Sequence, residues 1–219
     1  HLDALGIADD TYVLYMSDNG SGGQGRVLRG GKGGIWEGGI RVPCIIRGPG
    51  IVPGTASRIR ITGIDLLPTF AAIGRSEAEL PDGLEGGDFM PALTGETDSV
   101  VRSQDFLTFH FPHYQGQDGP QSALIMGDMK LVKLYETDTV QLFDLANDPG
   151  ENRDLADARP EETRHLRRLL EAHLERIEAS LPTSNPQVAP EDERPARNGD
   201  KKGEGRKNRG TGREGRGTR

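Results

Sequence analysis

Asp18 and Asn19 stand side by side at the end of a short apolar run, Tyr12-Val-Leu-Tyr-Met-Ser17. One offers a carboxylate and the other an amide carbonyl, both hard oxygen donors of the kind a metal ion takes. A strand that hands oxygens to a loop is where α/β proteins bind ions and ligands. Further on, Gly30-Gly31-Lys32 carries a compact positive charge on a loop whose glycines allow close backbone approach, which suits an anion. Asn19-Gly20 after a strand is equally a hairpin signal. The spacing alone therefore leaves two readings, a metal or anion site and a plain turn, although Ser21-Gly-Gly-Gln-Gly25 does not read as a returning strand.

A second group with chemistry is His110-Phe-Pro-His113-Tyr114. Its histidines and tyrosine suit the lining of a sugar or aryl pocket; the alternative is a surface loop with one packed histidine. Two histidines three apart also suggest zinc, but no cysteine or third histidine lies nearby in sequence. His165 and His173 fall on a helical pattern and are expected to be solvated. Glu37 and Arg41, four apart and opposite in charge, are expected to form a local ion pair that braces the loop. Trp36 reads as packing. The single cysteine, Cys44, reads as a buried strand residue, because a free thiol packs as a small hydrophobe.

The elements that must hold these groups follow from patterning. Leu2 and Leu5 share a helical face, and Gly6 is placed to cap it. Tyr12–Ser17 reads as a buried strand of parallel type, and Val42–Ile46 as a second buried strand ended by Pro49-Gly50. Arg58–Thr62 alternates as a short edge strand would. Ile64–Ile73 reads as a helix, with Asp65 as its cap and Gly74 as its stop. Residues 75–99 read as irregular. From Asp105 the period changes to that of a β-meander, with strands at Asp105–His110, Ser122–Met126, Lys130–Tyr135 and Val140–Phe143. A small antiparallel sheet needs a cover on one face. A helix over Pro160–Leu181 supplies it, with Leu166, Leu169, Leu170, Leu174, Ile177 and Leu181 at helical spacing.

The net charge of −7 argues against general nucleic-acid binding by the body of the protein. One cysteine excludes an intrachain disulfide framework, and no apolar run approaches the roughly 20 residues of a membrane-crossing helix. After Pro186 the composition shifts to lysine, arginine, glycine and asparagine, which cannot bury a core. Residues 187–219 are therefore expected to be a disordered basic tail suited to anionic sugars or nucleic acid.

Several blocks taken together resemble the formylglycine-dependent (type I) sulfatases of the alkaline-phosphatase-like superfamily. They are Ser17-Asp-Asn-Gly20, Gly30-Gly-Lys-Gly33, Trp36-Glu-Gly-Gly-Ile-Arg-Val-Pro43, Gly63-Ile-Asp-Leu-Leu-Pro-Thr69, Asp82-Gly83, Leu142-Phe-Asp-Leu145 and Asp148-Pro-Gly-Glu151. The similarity runs from about Leu2 to Pro186. The resemblance implies an α/β fold: the C-terminal part of an alkaline-phosphatase-like sandwich over residues 1–100, then a four-stranded antiparallel sheet packed by a C-terminal helix over 101–186.

The resemblance also implies that Asp18 and Asn19 are ligands of a divalent ion, usually calcium, and that Lys32 is a catalytic residue contacting the sulfate. His110 and His113 become candidates for holding a sulfated small molecule or glycan. The family's nucleophile, a formylglycine made within a Cys/Ser-x-Pro/Ala-x-Arg motif, has no counterpart, since Cys44 is followed by Ile45-Ile46-Arg47. Nor have the two further aspartates of the family's metal site. The chain is thus expected to be the C-terminal part of a sulfatase, inactive alone, from a protein of the periplasm or cell exterior. A non-catalytic module binding sulfated glycans and a metal-dependent phosphate-ester hydrolase are the alternatives.

Overall fold

In the computed structural model of the protein, residues 1–21, 27–114 and 118–183 are described. Residues 1–182 form one compact unit. A second unit, 183–219, lies outside the described residues except for Thr183, and with it the expected basic tail. The expected helical face is present as the short helix α1 (Leu2–Leu5), closed by Gly6 at φ 69°. A 3-10 turn at Ala8–Asp10 leads into β1 (Val13–Met16).

β1 pairs antiparallel with β2 (Cys44–Arg47), Val13 opposite Arg47 and Met16 opposite Cys44. This corrects the expectation of a parallel-type buried strand. Tyr15 and Ile45, opposite one another, are each 66% exposed, and Cys44 is exposed rather than buried. Apolar β-formers announce a strand but not what covers it, and among the described residues nothing covers these. Arg58–Thr62 forms no strand either. Its polar groups are taken by side chains instead: Arg102 donates Nη2 to the Arg60 carbonyl at 2.7 Å, and Thr62 caps the next turn.

That turn, Gly63–Asp65, runs into α3 (Leu66–Ile73), which Gly74 ends as expected. Asp65 stands at the cap position of α3, but its side chain makes no capping bond to that helix and turns back to the Thr62 amide instead. Its fully buried carboxylate accepts the Thr62 and Gly87 amides at 2.7 and 2.9 Å and a fork from Arg102 at 2.8 and 2.7 Å. The fourfold acceptance satisfies a charge that burial would otherwise make very costly. A single helical turn, α4 (Met90–Leu93), follows.

All four expected meander strands are present, as β3 (Phe106–Phe111), β4 (Gln121–Met126), β5 (Met129–Leu134) and β6 (Thr139–Asp144). They lie in sequence order, each antiparallel to the next. Met126 faces Met129 across the two-residue turn Gly127-Asp128, where Gly127 supplies the positive φ of 54°.

The sheet is covered on both faces, not one. On one face Leu124, Leu131 and Leu142 pack against Leu166, Leu170 and Leu174 of α5 (Pro160–Arg176). On the other, Ala123, Ile125, Val132 and Phe143 pack against Ile35 and Trp36 from the first half of the chain. Double cover explains why Gln121–Ile125 is buried throughout, without the alternation of a half-exposed strand.

α5 ends earlier than its leucine pattern. Glu178, at φ 51°, lets the Ala179 amide reach the Leu174 carbonyl and its own amide reach Glu175. This is a Schellman closure built on glutamate instead of glycine, which hid it from the sequence. Ile177 and Leu181 are consequently exposed at 44% and 54%. His173, expected in solvent, is buried: it falls on the Leu166–Leu170–Leu174 face, and its ring meets Phe106 edge-on at 5.5 Å. Burial lowers its pKa. In urea unfolding, Leu170→Ala is expected to cost about 2–5 kcal/mol, and Ile177→Ala, at the exposed end of the same stripe, less than about 0.5 kcal/mol.

Candidate active site

α2 (Glu37–Ile40) is a single turn whose middle residues are Gly38 and Gly39, and two loops rest on it. The Gly20 amide donates to the Gly39 carbonyl at 2.8 Å, which fixes the end of the Asp18-Asn19 turn. The Gly38 amide donates to the Arg29 carbonyl at 2.7 Å, and the Gly34 amide to Gly31 at 3.1 Å, which fixes the loop carrying Lys32. The contacts are so close that a side chain on Gly20 would overlap the Gly38 carbonyl, and one on Gly39 the carbonyls of Gly31 and Gly34. The structure thus brings Asp18, Asn19 and Lys32 onto supports that share one helical turn.

Within the first loop, the Asn19 amide donates to Asp18 Oδ1 at 2.9 Å, and Asn19 Nδ2 donates to the Gly20 carbonyl at 2.9 Å. That second bond orients the side-chain amide, and among the described residues its carbonyl oxygen accepts no hydrogen bond. A carboxylate and an oriented carbonyl at a strand end are hard donors that fit two places in a calcium shell. Among the described residues no group of three or more His, Cys, Asp or Glu converges as a metal site. Lys32 is exposed, and among the described residues it makes no ion pair.

The histidines lie elsewhere. Phe109 and Phe111 of β3 turn toward the Trp36 side of the sheet, so His110 between them turns to the α5 side. Its Nδ1 lies 2.7 Å from Ser122 Oγ and its Nε2 3.0 Å from the Ser180 carbonyl, so both ring nitrogens are engaged. His113 is exposed, edge-on to Phe111 at 5.1 Å.

Beneath α2 lies a charge cluster that sequence reasoning missed. Lys130, fully buried on β5, sets Nζ 3.0 Å from Glu37 Oε1 and 2.8 Å from Glu151 Oε1. The contact to Glu151 Oε1 is an ion pair lying off the hydrogen-bond direction. Glu151 Oε2 accepts the Glu37 amide at 2.7 Å. The expected Glu37–Arg41 pair exists at 3.8 Å, but Arg41 is more than half exposed, so it is the weaker partner. Arg29 stacks over the Trp36 ring at 3.5 Å and donates to the Glu151 carbonyl at 3.4 Å. A lysine in the middle of an apolar strand, Met129-Lys-Leu-Val-Lys-Leu134, was the available signal. Glu151 belonged to a recognised block to which no role was assigned.

The fold is of the alkaline-phosphatase-like α/β class. Residues 31–180 match the family described as N-sulphoglucosamine sulphohydrolase, C-terminal. Steryl-sulfatase of Mus musculus is 30% identical over 227 residues, covering 86% of this chain and 36% of its own length. Arylsulfatase A of Homo sapiens is 33% identical over 199 residues, covering 75% of this chain and 38% of its own. The solved structure of Ps i-CgsB in complex with k-i-k-neocarrahexaose superposes with a TM-score of 0.65 at 26% identity, over 78% of this chain and 38% of that one. The chain belongs to the sulfatase family and corresponds to its C-terminal portion. It spans 36% and 38% of the two curated relatives just named.

Burial raises the Glu151 carboxyl above its ordinary 4.5, against the opposing pull of Lys130 and of the Glu37 amide. The native state then holds this proton more tightly than the unfolded chain does, so the contribution is stabilising at low pH. It is lost as pH rises from about 4.5 through the raised native value. Glu151→Gln is expected to flatten that part of the stability profile, read as urea midpoints against pH in both proteins. Gly39→Ala is expected to lower stability by about 1–3 kcal/mol in the same assay, because neither carbonyl it would strike can yield freely.

Proposed function

We propose that this chain supplies part of the metal shell and the sulfate-contacting lysine of an enzyme that hydrolyses sulfate esters. The observation that carries the reading is the shared support of the Asp18-Asn19 turn and the Lys32 loop on Gly38-Gly39. This supports the reading because a bound sulfate flanked by a cation needs hard oxygens and an ammonium on neighbouring supports, and among the described residues Lys32 makes no ion pair.

In this reading Asp18 and Asn19 hold a calcium ion, which when bound neutralises and polarises the sulfate. The Asn19 carbonyl is kept oriented by the bond from Nδ2 to Gly20. Lys32 places its ammonium on a sulfate oxygen. At about 4 Å and an effective dielectric of about 20 this is worth roughly 4 kcal/mol. It accelerates the reaction to the extent that it strengthens as charge builds in the transition state. The nucleophile is a formylglycine carried by sequence outside these 219 residues, none of which form a Cys/Ser-x-Pro/Ala-x-Arg motif. The 219 residues alone therefore give no turnover, since the remaining contacts cannot replace the covalent step.

The substrate class we infer is a sulfated sugar, supported by the carrageenan-type oligosaccharide bound to the solved relative. Exposed His113 is the histidine of the pair available to meet it. We infer a location in the periplasm or at the cell exterior, a reading that the family resemblance supports.

The test is sulfate release from an aryl sulfate, with the nucleophile-bearing segment present in the same protein. Lys32→Ala is expected to lower kcat by about 10²–10³-fold, the usual effect of losing one preorganised charge-stabilising group. Chelation of calcium is expected to abolish activity, and calcium to restore it. Turnover indifferent to both changes would overturn the assignment.

A further inference from the structure

We propose that Lys130, Glu37 and Glu151 form a positioning device that sets where the Asp18-Asn19 turn and the Lys32 loop stand relative to each other. The proposal rests on the reading of those loops as the site, but its test does not.

The connections run through few bonds. Glu37 is gripped twice, its side chain by Lys130 at 3.0 Å and its backbone amide by Glu151 at 2.7 Å. Both grips originate outside α2: Lys130 on β5, and Glu151 after β6. A four-residue helix has one turn and little hold of its own, so its placement is set by what grips its first residue. The next two residues carry the loops. Gly38 receives the Lys32 loop at the Arg29 carbonyl, and Gly39 receives the Asp18-Asn19 turn at the Gly20 amide. Arg29 adds a second route, since it reaches the Glu151 carbonyl from the Lys32 loop and stacks on Trp36. Glycine at 38 and 39 removes the slack that side chains would leave, so a displacement of Glu37 passes directly to both loops.

A merely structural role would be to neutralise buried acids. Losing it would weaken the whole sheet in proportion. A positioning role predicts a selective effect, and two amides report it: Gly20 N–H for the Asp18-Asn19 turn and Gly38 N–H for the Lys32 loop. Native-state hydrogen exchange of the full chain, followed by NMR, reads both against the amides of β4 and β5.

In Glu151→Ala, which removes the acceptor of the Glu37 amide and the Lys130 contact together, both reporters are expected to exchange at least about tenfold faster relative to the sheet amides. Glu151→Gln keeps an acceptor for the Glu37 amide and is expected to restore most of that protection. If Glu151→Ala does not fold, Glu37→Gln decides, with the same selective acceleration expected because it weakens the Lys130 grip while preserving side-chain shape. Reporters that accelerate no more than the β4 and β5 amides would overturn the proposal. That result would leave the sulfatase reading intact, whereas an activity indifferent to Lys32→Ala would overturn the reading and leave this device standing.

Discussion

A lysine with no exposed surface, held between two glutamates, is the constraint on which the rest of this structure depends. Removing such a charge from water costs several kcal/mol, which is recovered only by close pairing. Lys130 finds that pairing only if the strand β5, the turn α2 and the segment after β6 meet at one point. The cluster therefore ties the sheet of the second half of the chain to the glycine-rich loops of the first. Trp36, under Arg29 and against Phe143, fills the apolar space beside it. Losing one partner would leave uncompensated charge in the core, so the arrangement tolerates little variation.

The two lysines that matter here behave in opposite ways, for the same physical reason. Lys130 is surrounded by carboxylate and has no charge to spare for a ligand. Lys32 stands on an exposed loop with no carboxylate partner among the described residues, so its ammonium is available to an anion. Burial and pairing decide which cation is structural and which is able to act.

Much of the fold was legible in the sequence. The four-strand meander follows from alternation and from the turns at Gly127-Asp128 and Thr137-Asp138, and α5 from its leucine spacing. The limits were set by what periodicity cannot carry. It does not say how many faces of a sheet are covered, and the second cover came from Ile35 and Trp36, some seventy or more residues earlier than the first sheet strand. It marked β1 and β2 as apolar strands but not as an exposed antiparallel pair. Asp18, Asn19 and Lys32 were legible as chemistry because oxygen donors and a cation beside glycines are unusual neighbours. Glu37 was paired on paper with Arg41, four residues away, because sequence shows only near neighbours. Its stronger partner lies 93 residues along the chain.

The β1–β2 ribbon has a further consequence, for behaviour in solution. Among the described residues Tyr15 and Ile45 present an uncovered apolar face, and the two four-residue strands pair only with each other, which leaves each an outer edge without a strand partner. No proline or lysine interrupts Val13–Met16 or Cys44–Arg47, and only Arg47 places a charge there. Such an edge is a template for another strand. A strand or helix laid over Tyr15 and Ile45 would take this face out of water, so one surface suits both another strand at its edge and a covering element on its face.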